Sequence, residues 1–167
     1  MNKITGISHY LSEDHRRLEE LLRRATIMDD RIEPDAYMAF RGGLLRHIGM
    51  EEKVLLPAAQ AARGGDPLPV ASKLRLDHGA LAALLVLTPT VAIVAAIRSI
   101  LISHHPIEEG SDGIYAQCEH LDGFDNIQIL ARLKSYPPVA TASYVDNPTA
   151  IQSARNAIKR AGHDLQF

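Results

Sequence analysis

Two stretches of this chain repeat each other in histidine and glutamate. Asp14-His15, followed by Leu18, Leu21 and Leu22, returns as Asp77-His78, followed by Leu81, Leu84 and Leu85. Each copy precedes a second element, His47-Ile48-Gly49-Met50-Glu51-Glu52 in the first case and His104-His105-Pro106-Ile107-Glu108-Glu109 in the second. The chain therefore reads as His, then His-x-x-x-Glu, twice over. A helix turns once in about 3.6 residues, so a histidine and a glutamate four apart project from the same face. A carboxylate buried on such a face is costly unless a cation meets it, and a metal ion satisfies both donor types at once. Six residues, His15, His47, Glu51, His78, His104 and Glu108, form the candidate metal site.

The elements that must position these residues are helical throughout. Leu11, Leu18, Leu21, Leu22 and Ala25 recur at helical spacing, which predicts a first helix over about 8–28 with His15 on its apolar stripe. The break at 29–34 ends it, and Pro34 suits the first turn of a second helix that runs to about Ala62. Arg63-Gly64-Gly65-Asp66-Pro67 stops that one; a third follows over about 69–87, and a fourth begins at Pro89 or Thr90. Short connections imply antiparallel neighbours, so the expected fold is all-α, an up-down-up-down four-helix bundle. At about 1.5 Å of rise per residue, His15 and His47 lie level, roughly 20 Å from the same end, and His78 and His104 fall within about two turns of that height. One shared site is the consequence.

Beyond Leu121 the pattern changes. Ile127, Leu130 and Leu133 predict a short amphipathic helix, Tyr136-Pro137-Pro138 stops it, and Asn147-Pro148 reads as a cap and first turn ahead of Ile151, Ala154 and Ile158. The expected division is a bundle over 1–123 and a helical extension over 124–167, packed on the bundle or on a partner protein. Oligomeric state, monomer or homodimer, stays open.

Composition narrows the function classes. A net charge of −2 and a sequence pI near 6.4, with no basic cluster among aromatics, argue against nucleic acid as a partner. The apolar stretch 80–102 is broken by Thr88-Pro89-Thr90 and interrupted by Arg98, which fits two core helices and argues against a membrane span. The N-terminal residues show no signal-peptide pattern, and the single cysteine, Cys118, fits a reducing compartment, so the expected location is the cytoplasm.

Either His104 or His105 has a glutamate four residues on. Ile93, Ile97, Ile100, His104 and Glu108 share one stripe, whereas His105 lines up with Arg98, so helical phase selects His104 with Glu108. Pro106 should bend the helix between them. Glu52 and Glu109 read as solvated or supporting groups, Asp14 and Asp77 as caps, ion pairs or supports of the adjacent histidines. Tyr115 and Cys118 read as ordinary packing, Tyr37, Phe40, Met50 and Ile107 as an apolar wall around the site, and His9, His120 and His163 as surface residues.

On the strength of Asp-His-x-x-Leu and His-x-x-x-Glu-Glu, each occurring twice in order over about 8–121, the chain resembles the hemerythrin-like (HHE cation-binding) domains. The resemblance implies a four-helix bundle with a non-haem di-iron centre. It implies that His15, His47, Glu51, His78, His104 and Glu108 bind two iron ions joined by an oxo or hydroxo bridge, with Glu51 and Glu108 spanning the pair. Manganese or zinc would also suit the donors. Oxygen-carrying hemerythrins have a fifth histidine one turn before the one matching His78, and Leu74 stands there in this chain. That deficit points away from oxygen storage and toward a centre that reacts with or senses a small diatomic ligand, O2 or NO, or peroxide. Iron handling or iron-sulfur repair is the alternative within the family. A catalase-like peroxide scavenger is the enzymatic alternative, and an interaction module with a structural metal the non-enzymatic one.

Overall fold

The computed structural model describes residues 6–167, and within them the chain is all-helical, with an isolated bridge between Met28 and Arg31 and no strand. Its elements are α1 (Ile7–Ala25), α2 (Pro34–Met50), a π-helical turn (Glu51–Leu55), α3 (Leu56–Ala62), α4 (Ala71–Leu84), α5 (Val91–Glu109), α6 (Ile114–Glu119), α7 (Asn126–Lys134) and α8 (Pro148–Arg160). Their starts follow from capping chemistry. Glu33 accepts from the backbone N–H of Asp35 and Ala36 ahead of Pro34; Thr90 accepts from Ile93, Asp125 from Gln128 and Asn147 from Ala150.

Two of these elements, the second helix and α7, differ from the sequence reading. The second helix does not run uniformly to Ala62: at Glu51 its bonding widens, and the Leu56 N–H reaches back to the Glu51 carbonyl. Pro57 follows at once, with no N–H to offer Lys53, and a π turn is one way to rephase the ladder ahead of it. The fourth helix stops at Glu109, where Gly110-Ser111-Asp112-Gly113 separates it from α6. It continues through Pro106, and the bond lost to the ring is that of Ile102, which is 71% exposed, on the solvent side. In α7 the buried residues are Ile129 and Leu133, while Ile127 is 84% exposed, so the predicted stripe is rotated.

The apolar interior falls into two clusters. One holds Leu18 and Leu22 of α1, Phe40 and Leu44 of α2, Leu81 and Leu84 of α4, and Ile97 and Ile100 of α5. The other holds Leu11 of α1, Met50 and Val54 around the π turn, Leu74 of α4 and Tyr115 of α6. Between the two along every one of these helices come the buried polar residues: His15, His47 with Glu51, Asp77 with His78, and His104 with Glu108. The predicted apolar wall accordingly splits, Tyr37 and Phe40 on one side and Met50 and Ile107 on the other.

The tail docks on its own chain. α1 packs on α2, α4 on α5, and α8 against α4. Val145 donates to the Val86 carbonyl at 3.0 Å, and Asp146 accepts from Thr88, fixing the segment before α8 to the α4–α5 turn. Arg41, buried, donates to the carbonyls of Leu85 and Ala142, each at 2.7 Å, with its guanidinium 4.4 Å from the Tyr144 ring centre. The stretch Val91–Glu119 is long and apolar enough to cross a membrane by length and composition, yet Ile93, Val94, Ile97 and Ile100 within it are core residues, and no membrane span is clear.

Candidate metal centre

All six predicted residues meet in the polar layer, each buried. The two carboxylates stand between the two pairs of histidines. Glu51 turns Oε1 toward His47 Nε2 (3.5 Å) and Oε2 toward His78 Nε2 (3.1 Å). Glu108 turns Oε1 toward His104 Nε2 (2.7 Å) and His78 Nε2 (3.6 Å), and Oε2 toward His15 Nε2 (3.3 Å). Each carboxylate thus gives one oxygen to the His15/His47 side and one to the His78/His104 side. Donor atoms of Glu51, His78, His104 and Glu108 lie within 4.8 Å of one another, as do those of His15, His47 and Glu51.

Every one of the four histidines is held from behind by a carboxylate at Nδ1. Asp14 Oδ2 lies 2.8 Å from His47, Asp77 Oδ2 3.2 Å from His104, Glu52 Oε1 2.7 Å from His78, and Glu109 takes His15. Cations back three of these: Arg17 on Asp14 at 2.8 Å, Lys73 on Asp77 at 2.5 Å, Arg75 on Glu52 at 3.2 Å. An imidazole that donates Nδ1–H to a carboxylate presents a lone pair at Nε2, oriented and made more basic, which is the usual setting of a metal-binding histidine. The pattern crosses the repeat. Asp14 and Asp77 hold the histidine of the following element in their own half, not the adjacent one, whereas Glu52 and Glu109 each hold a histidine of the other half.

The arrangement suits a cation at its centre. His78 Nε2 faces His104 Nε2 at 3.1 Å, about the separation of neighbouring ligands on an ion bound at about 2.1 Å. Glu51 Oε2 and both oxygens of Glu108 are buried with no hydrogen-bond partner. The 2.7 Å approach of His104 to Glu108 is therefore an ion-pair contact without hydrogen-bond geometry. Without metal, protons must serve. Burial opposes imidazolium, but the Glu51 charge and Asp14 raise His47 to about 10, Glu108 with Glu51 and Glu52 raise His78 to about 12, and Asp77 with Glu108 raise His104 to about 9. The buried histidines and glutamates can hold a metal ion.

Comparison with known proteins returned nothing: no protein-family model, no curated protein and no solved structure matches this chain.

Several residues sit differently from their sequence reading. Tyr115 reads as packing in the sequence, but its hydroxyl donates to Glu51 Oε1 at 2.6 Å and lies 3.2 Å from His15 Nε2 and 3.3 Å from His47 Nε2. His105 does not simply face water: its ring stacks on His15 at 4.0 Å, and burial, then the His15 charge, lower it to about 4. His163 is not a bare surface residue, since its Nε2 lies 2.8 Å from Asp77 Oδ1. Cys118 is a core thiol, pushed up to about 12 by burial. His9 and His120 are exposed.

Proposed function

We propose that this chain is a hemerythrin-like, non-haem di-iron protein that reacts with or senses O2, NO or peroxide, its α1, α2, α4 and α5 forming the antiparallel four-helix bundle of that family. The observation that carries the reading is the convergence of four carboxylate-backed imidazoles on two buried glutamates, with three of the four glutamate oxygens otherwise unpartnered. His15 and His47 would hold one ion, His78 and His104 the other, and Glu51 and Glu108 would span them. Two bound iron ions would supply a ferrous/ferric couple and open coordination positions for a small ligand.

The chain's own residues do the rest. Asp14, Asp77, Glu52 and Glu109 fix the imidazole rings and keep their protons at Nδ1. The apolar clusters above and below exclude bulk water, which suits a diatomic or peroxide better than a larger substrate. Leu74, buried one turn before His78, leaves that ion without a further nitrogen. The lone buried thiol fits a reducing compartment such as the cytoplasm.

The test is metal analysis of protein purified from iron-replete cells, followed by visible spectra before and after O2, NO and peroxide. Two iron ions per chain and a spectral response are expected. His47→Ala and His78→Ala should each lose metal; unchanged metal content in both would refute the site. Iron that answers none of the three ligands would make the metal structural, and sustained peroxide consumption would make the protein an enzyme.

A further inference from the structure

The two halves of the centre are not equivalent. His15/His47 and His78/His104 are related by the repeat, and so are Glu51 and Glu108, but Tyr115 has no counterpart: the position equally far beyond Glu51 is Ala58. Tyr115 is fully buried, and its hydroxyl reaches His15 Nε2, His47 Nε2 and Glu51 Oε1 together, at 3.2, 3.3 and 2.6 Å. Three inward donor atoms of one half-site therefore surround a single phenolic oxygen. That oxygen stands within about one ligand-to-ligand spacing of each, as a fourth donor around one ion would. On the other side, His78 and His104 face each other with no hydroxyl between them, and Leu74 closes the turn before.

The position is built, not incidental. Gly113 starts α6, and a Cβ there would stand 2.5 Å from the Glu108 carbonyl oxygen, so the backbone doubles back closely enough to bring Tyr115 over the layer only with glycine at that point. α6 also packs on α1, which carries His15.

We infer that Tyr115 is a protein ligand of the metal ion held by His15 and His47, leaving the coordination position open to small ligands on the His78/His104 ion. Binding breaks the phenol O–H bond, the proton leaves to solvent, and a metal–oxygen bond forms; no electron is transferred. This rests on the metal-centre reading above and makes its two ions chemically distinct.

The experiment uses the full chain purified with iron and oxidised to the ferric state. Tyrosinate bound to ferric iron gives an intense visible charge-transfer band, and excitation within it enhances tyrosinate ring vibrations in the Raman spectrum. Wild-type protein is expected to show both, and Tyr115→Phe to lose both while keeping its iron and its helical circular dichroism. Iron-loaded wild type without tyrosinate vibrations, or Tyr115→Phe that retains them, overturns the assignment and leaves Tyr115 a hydrogen-bond donor to Glu51. The wild-type Raman spectrum decides the matter even if the variant does not fold. A chain that takes up no iron overturns the metal-centre reading itself, a result distinguishable from iron bound without tyrosinate.

Discussion

Asp77 ties the inward residues to their surroundings: it holds His104 through Oδ2, and Lys73 and His163 through Oδ1. Asp77→Asn keeps the shape but weakens the grip on the His104 ring, so metal affinity should fall about 10- to 100-fold with the fold retained, measured by competition against a chelator. The same residues set a pH dependence. In the metal-free protein His104, His47 and His78 are raised from 6.5 to about 9, about 10 and about 12. Groups that bind protons more tightly when folded stabilise fully below about pH 6.5 and lose that contribution as pH climbs through their folded values. Thermal midpoints of metal-free protein should drop from pH 7 to pH 10, whereas metal-loaded protein, with ions in place of protons, should show no such drop; a flat metal-free profile would contradict the protonated layer. At this scale the six inward residues were legible, because His and His-x-x-x-Glu spacing maps directly onto one helix face. Tyr115 and the partners of Glu52 and Glu109 were not: their proximity arises where separate helices meet, and no period within one helix encodes it.

Among the elements, the break between α5 and α6 does the most with the fewest residues. Gly113→Ala would drive a methyl into the Glu108 carbonyl, and the strain should cost about 1–3 kcal/mol, read as a lower urea midpoint, together with displacement of Tyr115 from the layer. Periodicity located the first helix to within a few residues, and Asn147-Pro148 marked the start of α8 correctly. It missed the π turn, because a single widened turn leaves the apolar pattern nearly unchanged, and it misphased α7, whose nine residues give too few repeats to fix a face. Pro106 lies within α5, and the backbone bond it removes is on an exposed flank.

Across the whole molecule, what the sequence could not decide was where the tail goes, because an amphipathic helix states that it needs a partner surface without naming one. The answer lies in Arg41, a buried guanidinium that ties α2 to the end of α4 and to the segment before α8. Arg41→Met should leave the carbonyls of Leu85 and Ala142 without donors, at about 1–3 kcal/mol each, and lower the thermal midpoint without changing metal stoichiometry. A change in stoichiometry would mean that the tail shapes the layer more directly than its contacts indicate. In the proposed centre each half of the chain would supply both imidazoles of one ion, yet Glu52 steadies a ring of the second half and Glu109 a ring of the first, and each half would contribute one glutamate shared by both ions. Cut at the glycine turn before Asp66, neither fragment would possess a finished coordination sphere, and metal would be the currency in which the two recognise each other: complementation of the severed pieces should require the ion, and the ion should require both pieces.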